Sequence, residues 1–178
     1  TSVSHQAYEA SRLDDSETHK MLSKTYPYTI LITEDDDEVR CFLERELSPH
    51  FKTRTAANGK DALRVLEEEE ISLVVSDVMM PEMNGFELCR MIKSQLPFSH
   101  IPVILLTALT DERQRIFGIT GGADDYIQKP FHTDYVKIKI IHLLQERQKL
   151  RERLLEKLRD NKLLLSEPEK VESIDDTF

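Results

Sequence analysis

Leu73-Val74-Val75-Ser76-Asp77-Val78-Met79-Met80-Pro81 decides how this chain is read. A short apolar run closed by one aspartate, with a proline soon after, has the form of a strand buried on both faces. Asp77 then stands where that strand meets solvent. Three other segments repeat the design. Ile30-Leu31-Ile32-Thr33 runs into Glu34-Asp35, Val103-Ile104-Leu105-Leu106 runs into Thr107, and Tyr126-Ile127-Gln128 runs into Lys129. In an open parallel α/β sheet such strand ends gather along one edge, and ligands bind at that edge.

The segments between these strands read as helices and turns. Pro27 opens the first strand, and Asp36 and Asp37 can cap the helix that follows it. Val39, Phe42, Leu43 and Leu47 recur there at three-to-four spacing, and Pro49 ends the helix. Residues 51–55 alternate as a second strand does, and Asn58-Gly59 turns the chain into a short helix with Ala62, Val65 and Leu66. The acidic run 67–70 is a solvated helix end. After the central strand, the loop Pro81-Glu82-Met83-Asn84-Gly85 ends in a cap for a helix over 86–95, with Phe86, Cys89 and Ile92 or Met91 inward. Pro102 leads the fourth strand. A helix from Asp111 carries Ile116 and Phe117, Gly121-Gly122-Ala123 turns into a short fifth strand, and a last helix starts near His132. This βα alternation predicts an α/β, flavodoxin-like, doubly wound parallel sheet in the order 2-1-3-4-5.

The last helix continues beyond what a compact domain needs. Val136, Ile140, Leu143, Leu150 and Leu154 keep a three-four alternation broken by Arg147, and leucines persist to Leu165. One reading is a helix whose second half is solvated; the other is a coupling helix that dimerises or leads to an output domain. Glu167-Pro168-Glu169 then breaks the helix. The expected organisation is a polar N-terminal linker or extension over 1–26, a domain over 27–146, a helical extension over 147–165 and an acidic linker over 166–178.

Composition narrows the function classes. A net charge of −9 over 178 residues argues against unspecific nucleic-acid binding. No run approaches the roughly 18 apolar residues that span a bilayer, and no charged-then-apolar secretory signal is present. The chain starts with Thr1, as a piece of a longer protein would. Cys41 and Cys89 read as small buried apolar residues, and the histidines form no ligand pattern. A reduced cytoplasmic setting is expected, in a parent that other segments can anchor in an inner membrane.

Glu34, Asp35 and Asp77 would make a pocket of carboxylates whose mutual repulsion raises at least one pKa. A divalent cation resolves that repulsion, and oxygen-only ligation points to Mg²⁺. Asp77 would attack phosphorus to form an acyl phosphate. Thr107 would donate its hydroxyl to a phosphoryl oxygen and Lys129 would supply a point charge.

Segments 30–35, 74–85, 103–108 and 122–131 resemble the signature stretches of bacterial two-component receiver domains, over about 26–146. The resemblance implies that Glu34 and Asp35 are the acidic pair, Asp77 the phosphoacceptor, and Thr107 and Lys129 the hydroxyl and lysine. It also implies that Met79 gives a backbone carbonyl to the metal, that the bond before Pro130 is cis and aims Lys129 inward, and that Tyr126 is a switch aromatic moving with Thr107. The departure is Glu34, where aspartate is commoner; the longer side chain would reach the metal through water.

The chain also resembles the receiver segment of hybrid sensors of gut Bacteroidetes, in which a similar helix and acidic tail precede an AraC-type DNA-binding domain. The implied partners are a histidine kinase, on the same or another polypeptide, and DNA through an output domain absent here. A second copy would pair through the helix from Asp111, the fifth strand and the helix from His132, or through the helical extension. Met79 and Leu109 would shield the site and give a long-lived phosphoryl group. The rivals are a pseudo-receiver acting by contact alone and a phosphatase with an aspartyl nucleophile. Met79 stands where such a phosphatase needs its second acid.

Overall fold

The computed structural model describes residues 15–108 and 122–165. The helix expected from Asp111, with Ile116 and Phe117, lies outside them, as do Leu109 and the acidic tail. Nine elements are needed to place the site. They are β1 (Thr29–Thr33), α2 (Asp37–Leu47), β2 (Lys52–Ala56), α3 (Gly59–Glu68), β3 (Leu73–Asp77), α4 (Gly85–Ser94), β4 (Val103–Thr107), β5 (Asp125–Gln128) and α5 (Thr133–Leu165), preceded by the short α1 (Asp15–Leu22). The strands form one parallel sheet in the order β2-β1-β3-β4-β5, as the alternation predicts.

Strand alternation divides the apolar residues between two faces. Ile30, Ile32, Val75, Ile104, Leu106 and Ile127 join Leu43 and Leu47 of α2 and Val136, Ile140, Ile141 and Leu144 of α5. Leu31, Val74, Val103 and Leu105 join Ala62 and Leu66 of α3 and Leu88, Cys89 and Ile92 of α4 on the other face. Every residue of β3 is buried, which is why Leu73, Val74 and Val75 run without alternation before Ser76 and Asp77. Each fully buried Leu or Ile here contributes about 1.5–3 kcal/mol of transfer free energy.

Some side chains turn out differently from the periodic expectation. Cys41 is exposed, because the inward positions of α2 are Leu43 and Leu47 and residue 41 lies across the helix from them. Phe42 is 41% exposed, and the Arg45 guanidinium sits 5.5 Å from its ring centroid, so the ring is covered by a cation and not by the core. In α4 the inward residue is Ile92, and Met91 faces out; Leu88 is the buried residue that periodicity overlooked.

Residues before β1 are also structured. Tyr26 donates its backbone N–H to the His50 carbonyl at 2.7 Å, its hydroxyl donates to the Met21 carbonyl at 3.0 Å, and its ring stacks on Phe51 at 5.8 Å. The chain divides into two units, Thr1–Leu144 and Gln145–Phe178. Within the second, residues 145–165 are helical, and Leu150, Leu154, Leu155, Leu158 and Leu163 are exposed.

The sheet register aligns the functional strand ends. Thr33 is level with Ser76, Asp77 with Leu106, and Thr107 with Gln128, so the residues just past each strand emerge on one edge. Gly85 is required at that edge. A Cβ there would lie 2.3 Å from the Asp77 carbonyl oxygen and 2.9 Å from Val78 Cα, both backbone atoms that cannot step aside alone.

Candidate functional site

The acidic turn after β1 is built by its own hydrogen bonds. The Glu34 N–H extends the ladder by donating to the Ala56 carbonyl at 3.1 Å. Glu34 Oε1 accepts from the Asp36 N–H at 3.1 Å, and Asp36 caps α2 by accepting from the N–H groups of Glu38 and Val39. Glu34 is 2% exposed, Asp35 is open to solvent, and Glu34 Oε2 is buried without a hydrogen-bond partner.

Asp77 sits beside this turn at 6% exposure. Its backbone is held by the Ser76 hydroxyl, which donates to the Asp77 carbonyl at 2.9 Å, and by the Val78 N–H, which donates to Leu106. Lys129 arrives from the far strand. Its N–H donates to the Thr107 carbonyl at 2.8 Å, and its ammonium donates to Asp77 Oδ1 at 3.0 Å and lies 3.7 Å from Glu34 Oε2. The Lys129–Pro130 bond is cis, as the resemblance implies. Carboxylate oxygens of Glu34, Asp35 and Asp77 lie within 4.8 Å of one another.

Electrostatics in this pocket are unfavourable as they stand. Burial pushes the Glu34 carboxyl up to about 7. The Asp36 N–H pulls it down, the Asp77 charge and the neighbouring Asp35 carboxyl push it up, and Lys129 pulls it down. One ammonium thus serves two buried carboxylates, with a third acid alongside. The donor set is all oxygen, with a buried lone pair on Glu34 Oε2 unclaimed by any hydrogen. A small, hard divalent cation fits that description better than any neutral group does.

The remaining residues singled out from sequence occupy the same edge. Thr107 closes β4, half-buried, and adjoins Lys129 through the backbone bond just given. Met79 turns its side chain outward at 62% exposure. Tyr126, on β5, is half-buried against the α3–α4 face of the core. Burial carries its hydroxyl up to about 12, with smaller contributions from Cys89 and Asp124. The expected shielding by Leu109 falls outside the described residues.

Two contributors escaped sequence reading. Arg40, on α2, donates Nη1 to the Glu34 carbonyl at 2.9 Å and pairs with Asp37. Its only sequence signal is an arginine three residues after an acid in a first helical turn. Lys93 donates to the Ile101 carbonyl at 2.7 Å and to Asp124 at 2.8 Å, joining α4 to the β4–β5 edge, and nothing local in the sequence pairs those residues.

Comparison with known proteins bears on the same residues. The response regulator receiver domain family matches residues 30–141. The chain is 38% identical over 139 residues to histidine kinase P4 of Formosa agariphila, a member of the Bacteroidetes, covering 78% of this chain and 10% of that protein. It is 43% identical over 121 residues to the transcriptional regulatory protein GltR of Pseudomonas aeruginosa, covering 67% of this chain and 50% of that one. The chain therefore spans half or less of these relatives. Among solved structures, it is similar to the signal receiver domain of a signal transduction histidine kinase from Syntrophus aciditrophicus. That match has a TM-score of 0.64 and 38% identity, and covers 67% of this chain and 91% of that one. No helix among the described residues is long and apolar enough to cross a membrane.

Proposed function

This chain belongs to the response regulator receiver domain family, and from that premise we propose that Asp77 accepts a phosphoryl group from the phosphohistidine of a histidine kinase. The observation that carries the reading is the meeting of Lys129 with Asp77 at 3.0 Å, inside a cluster whose carboxylate oxygens lie within 4.8 Å. An Asp77 carboxylate oxygen forms the new O–P bond while the P–N bond breaks and its electron pair returns to the imidazole. Glu34, Asp35, Asp77 and the Met79 carbonyl would hold Mg²⁺, which when bound neutralises charge on the phosphoryl oxygens.

Lys129 orients the Asp77 oxygen before transfer and then pairs with a phosphoryl oxygen. Thr107 donates its hydroxyl to another, and the displacement of Thr107 lets Tyr126 shift further inward. That shift biases a pre-existing equilibrium between two states of the domain. The domain itself is a regulatory phosphoacceptor, its catalysis limited to its own phosphorylation and slow hydrolysis. Residues 27–146 form the receiver, 147–165 the helical extension, and 166–178 lead toward an output domain, which binds DNA. A second copy pairs through β5, α5 and the segment that leads into β5, or through the extension. The setting is cytoplasmic.

Intact-mass analysis after acetyl phosphate and Mg²⁺ tests this. One added phosphoryl group is expected, absent without Mg²⁺ and absent in Asp77→Asn. Lys129→Met is expected to slow addition on the order of a hundredfold, as loss of one placed charge donor does. Addition to Asp77→Asn, or none to the wild-type protein, would overturn the assignment.

A further inference from the structure

Arg40 stands just outside the pocket and belongs to none of the roles above. It lies on the first turn of α2, its side chain 18% exposed, and it reaches back across the turn that carries the acids. Nη1 donates to the carbonyl of Glu34, and Nη2 pairs with Asp37. The turn it spans runs Glu34-Asp35-Asp36-Asp37-Glu38, an unbroken acidic stretch whose charges repel along its whole length. Other bonds hold that turn too: the Asp36 N–H donates to the Glu34 carboxylate, two helix N–H groups donate to the Asp36 carboxylate, and the Arg40 N–H donates to the Asp36 carbonyl. None of these engages the Glu34 carbonyl. Arg40 is the residue that ties the peptide between Glu34 and Asp35 to the body of a helix. That peptide sets the direction in which the Asp35 carboxylate leaves the backbone.

We infer that Arg40 is a positioning residue for metal binding, fixing the Glu34–Asp35 peptide so that both carboxylates converge with Asp77. The inference rests on the proposed Mg²⁺ site. Its charge alone would act the other way, because a guanidinium beside a cation site repels the cation. Its own charge is matched by Asp37. What remains is a charge-assisted hydrogen bond to a carbonyl, and such a bond serves geometry.

The two effects predict opposite signs, which makes them separable. If Arg40 acts by position, Arg40→Met weakens Mg²⁺ binding on the order of tenfold, the scale of one lost charge-assisted hydrogen bond. If Arg40 acts by charge, the same variant binds Mg²⁺ more tightly, since Asp37 is left unpaired near the pocket. Arg40→Lys keeps the charge but loses the fork, and by the positional account it recovers less than half of the lost affinity on a logarithmic scale.

Isothermal titration calorimetry of Mg²⁺ into wild type, Arg40→Met, Arg40→Lys and Arg40→Met/Asp37→Asn reads this directly. Thermal unfolding in EDTA reports on the fold, and phosphorylation by acetyl phosphate is followed across Mg²⁺ concentrations. The expected result is a higher half-saturating Mg²⁺ in Arg40→Met, with a rate at saturation within twofold of wild type. The double variant is expected to remain as weak as Arg40→Met. Affinity within twofold of wild type, tighter binding, or full recovery by Arg40→Lys would each overturn the inference. Failure of the wild-type protein to bind Mg²⁺ would instead overturn the metal site on which it rests.

Discussion

Replacing Glu34 by Gln in the metal-free protein should make the domain more stable, and only above a definite pH. The Glu34 carboxyl rises from its ordinary 4.5 to about 7 in the folded chain. At about 1.4 kcal/mol for each pH unit, keeping Glu34 ionised in the fold costs about 3 kcal/mol. Between those two values the folded state binds a proton that the unfolded state has released, so wild-type stability falls as pH rises. Below pH 4.5 the penalty is absent, and above about 7 it is complete. Gln does not titrate, its Oε1 can still accept from the Asp36 N–H, and its amide can donate toward the neighbouring carboxylates. What it forfeits is the 3.7 Å attraction to Lys129. Urea unfolding in EDTA from pH 4 to pH 8.5 reads the difference between the two proteins. That difference should open by about 3 kcal/mol from pH 4.5 to 7 and stay level beyond. Saturating Mg²⁺ at pH 8 should then reverse the order, since a ligand bound only by the folded state stabilises it by mass action and the variant binds less. Curves that run parallel across the whole range would refute the reasoning, because they would mean Glu34 carries no buried charge to relieve.

Two other substitutions probe the frame around the pocket. Gly85→Ala places a methyl group 2.3 Å from the Asp77 carbonyl oxygen, so β3 or α4 must shift. A loss of about 1–3 kcal/mol in chemical unfolding is expected, together with slower phosphorylation, and an unchanged midpoint would show that the edge yields freely. Thr33→Val addresses a hydroxyl that is buried at 1% exposure without a hydrogen-bond partner. Removing an unsatisfied buried group for one of the same shape should stabilise by about 1 kcal/mol, and a lowered melting temperature would mean that the hydroxyl is satisfied in solution.

The fold was legible because parallel strands buried on both faces leave continuous apolar runs, as in 73–75 and 103–106. The edge strand β2 was fainter, since Lys52, Thr53, Arg54 and Thr55 are exposed or half-buried and only Ala56 is buried. The residues of the pocket were legible from their placement at strand ends. Helix faces were read less well: Phe42 fits the apolar spacing and Cys41 has the size and polarity of a core residue, but both lie outside the stripe that Leu43 and Leu47 define. The contacts of Arg40 and Lys93 to the Glu34 and Ile101 carbonyls could not be read, because a carbonyl carries no sequence signature.

The same electrostatics that make the pocket costly also make it responsive. Lys129 lies 3.0 Å from Asp77 and 3.7 Å from Glu34, so one positive charge is divided between two buried acids and leaves the group negative. A domain selected only for stability would replace Glu34 by an amide, and the unfolding experiment measures what that change would gain. Retaining the acid keeps a site whose repulsion a bound cation would relieve, so cation binding there would be coupled to the energy of the strand ends themselves. Ser76, Gly85 and Arg40 all act on that coupling by holding backbone, not by supplying charge. Perturbing them should therefore weaken binding through geometry and leave its pH dependence in place, while perturbing Glu34 or Lys129 changes the charge that meets the ligand and with it the pH dependence.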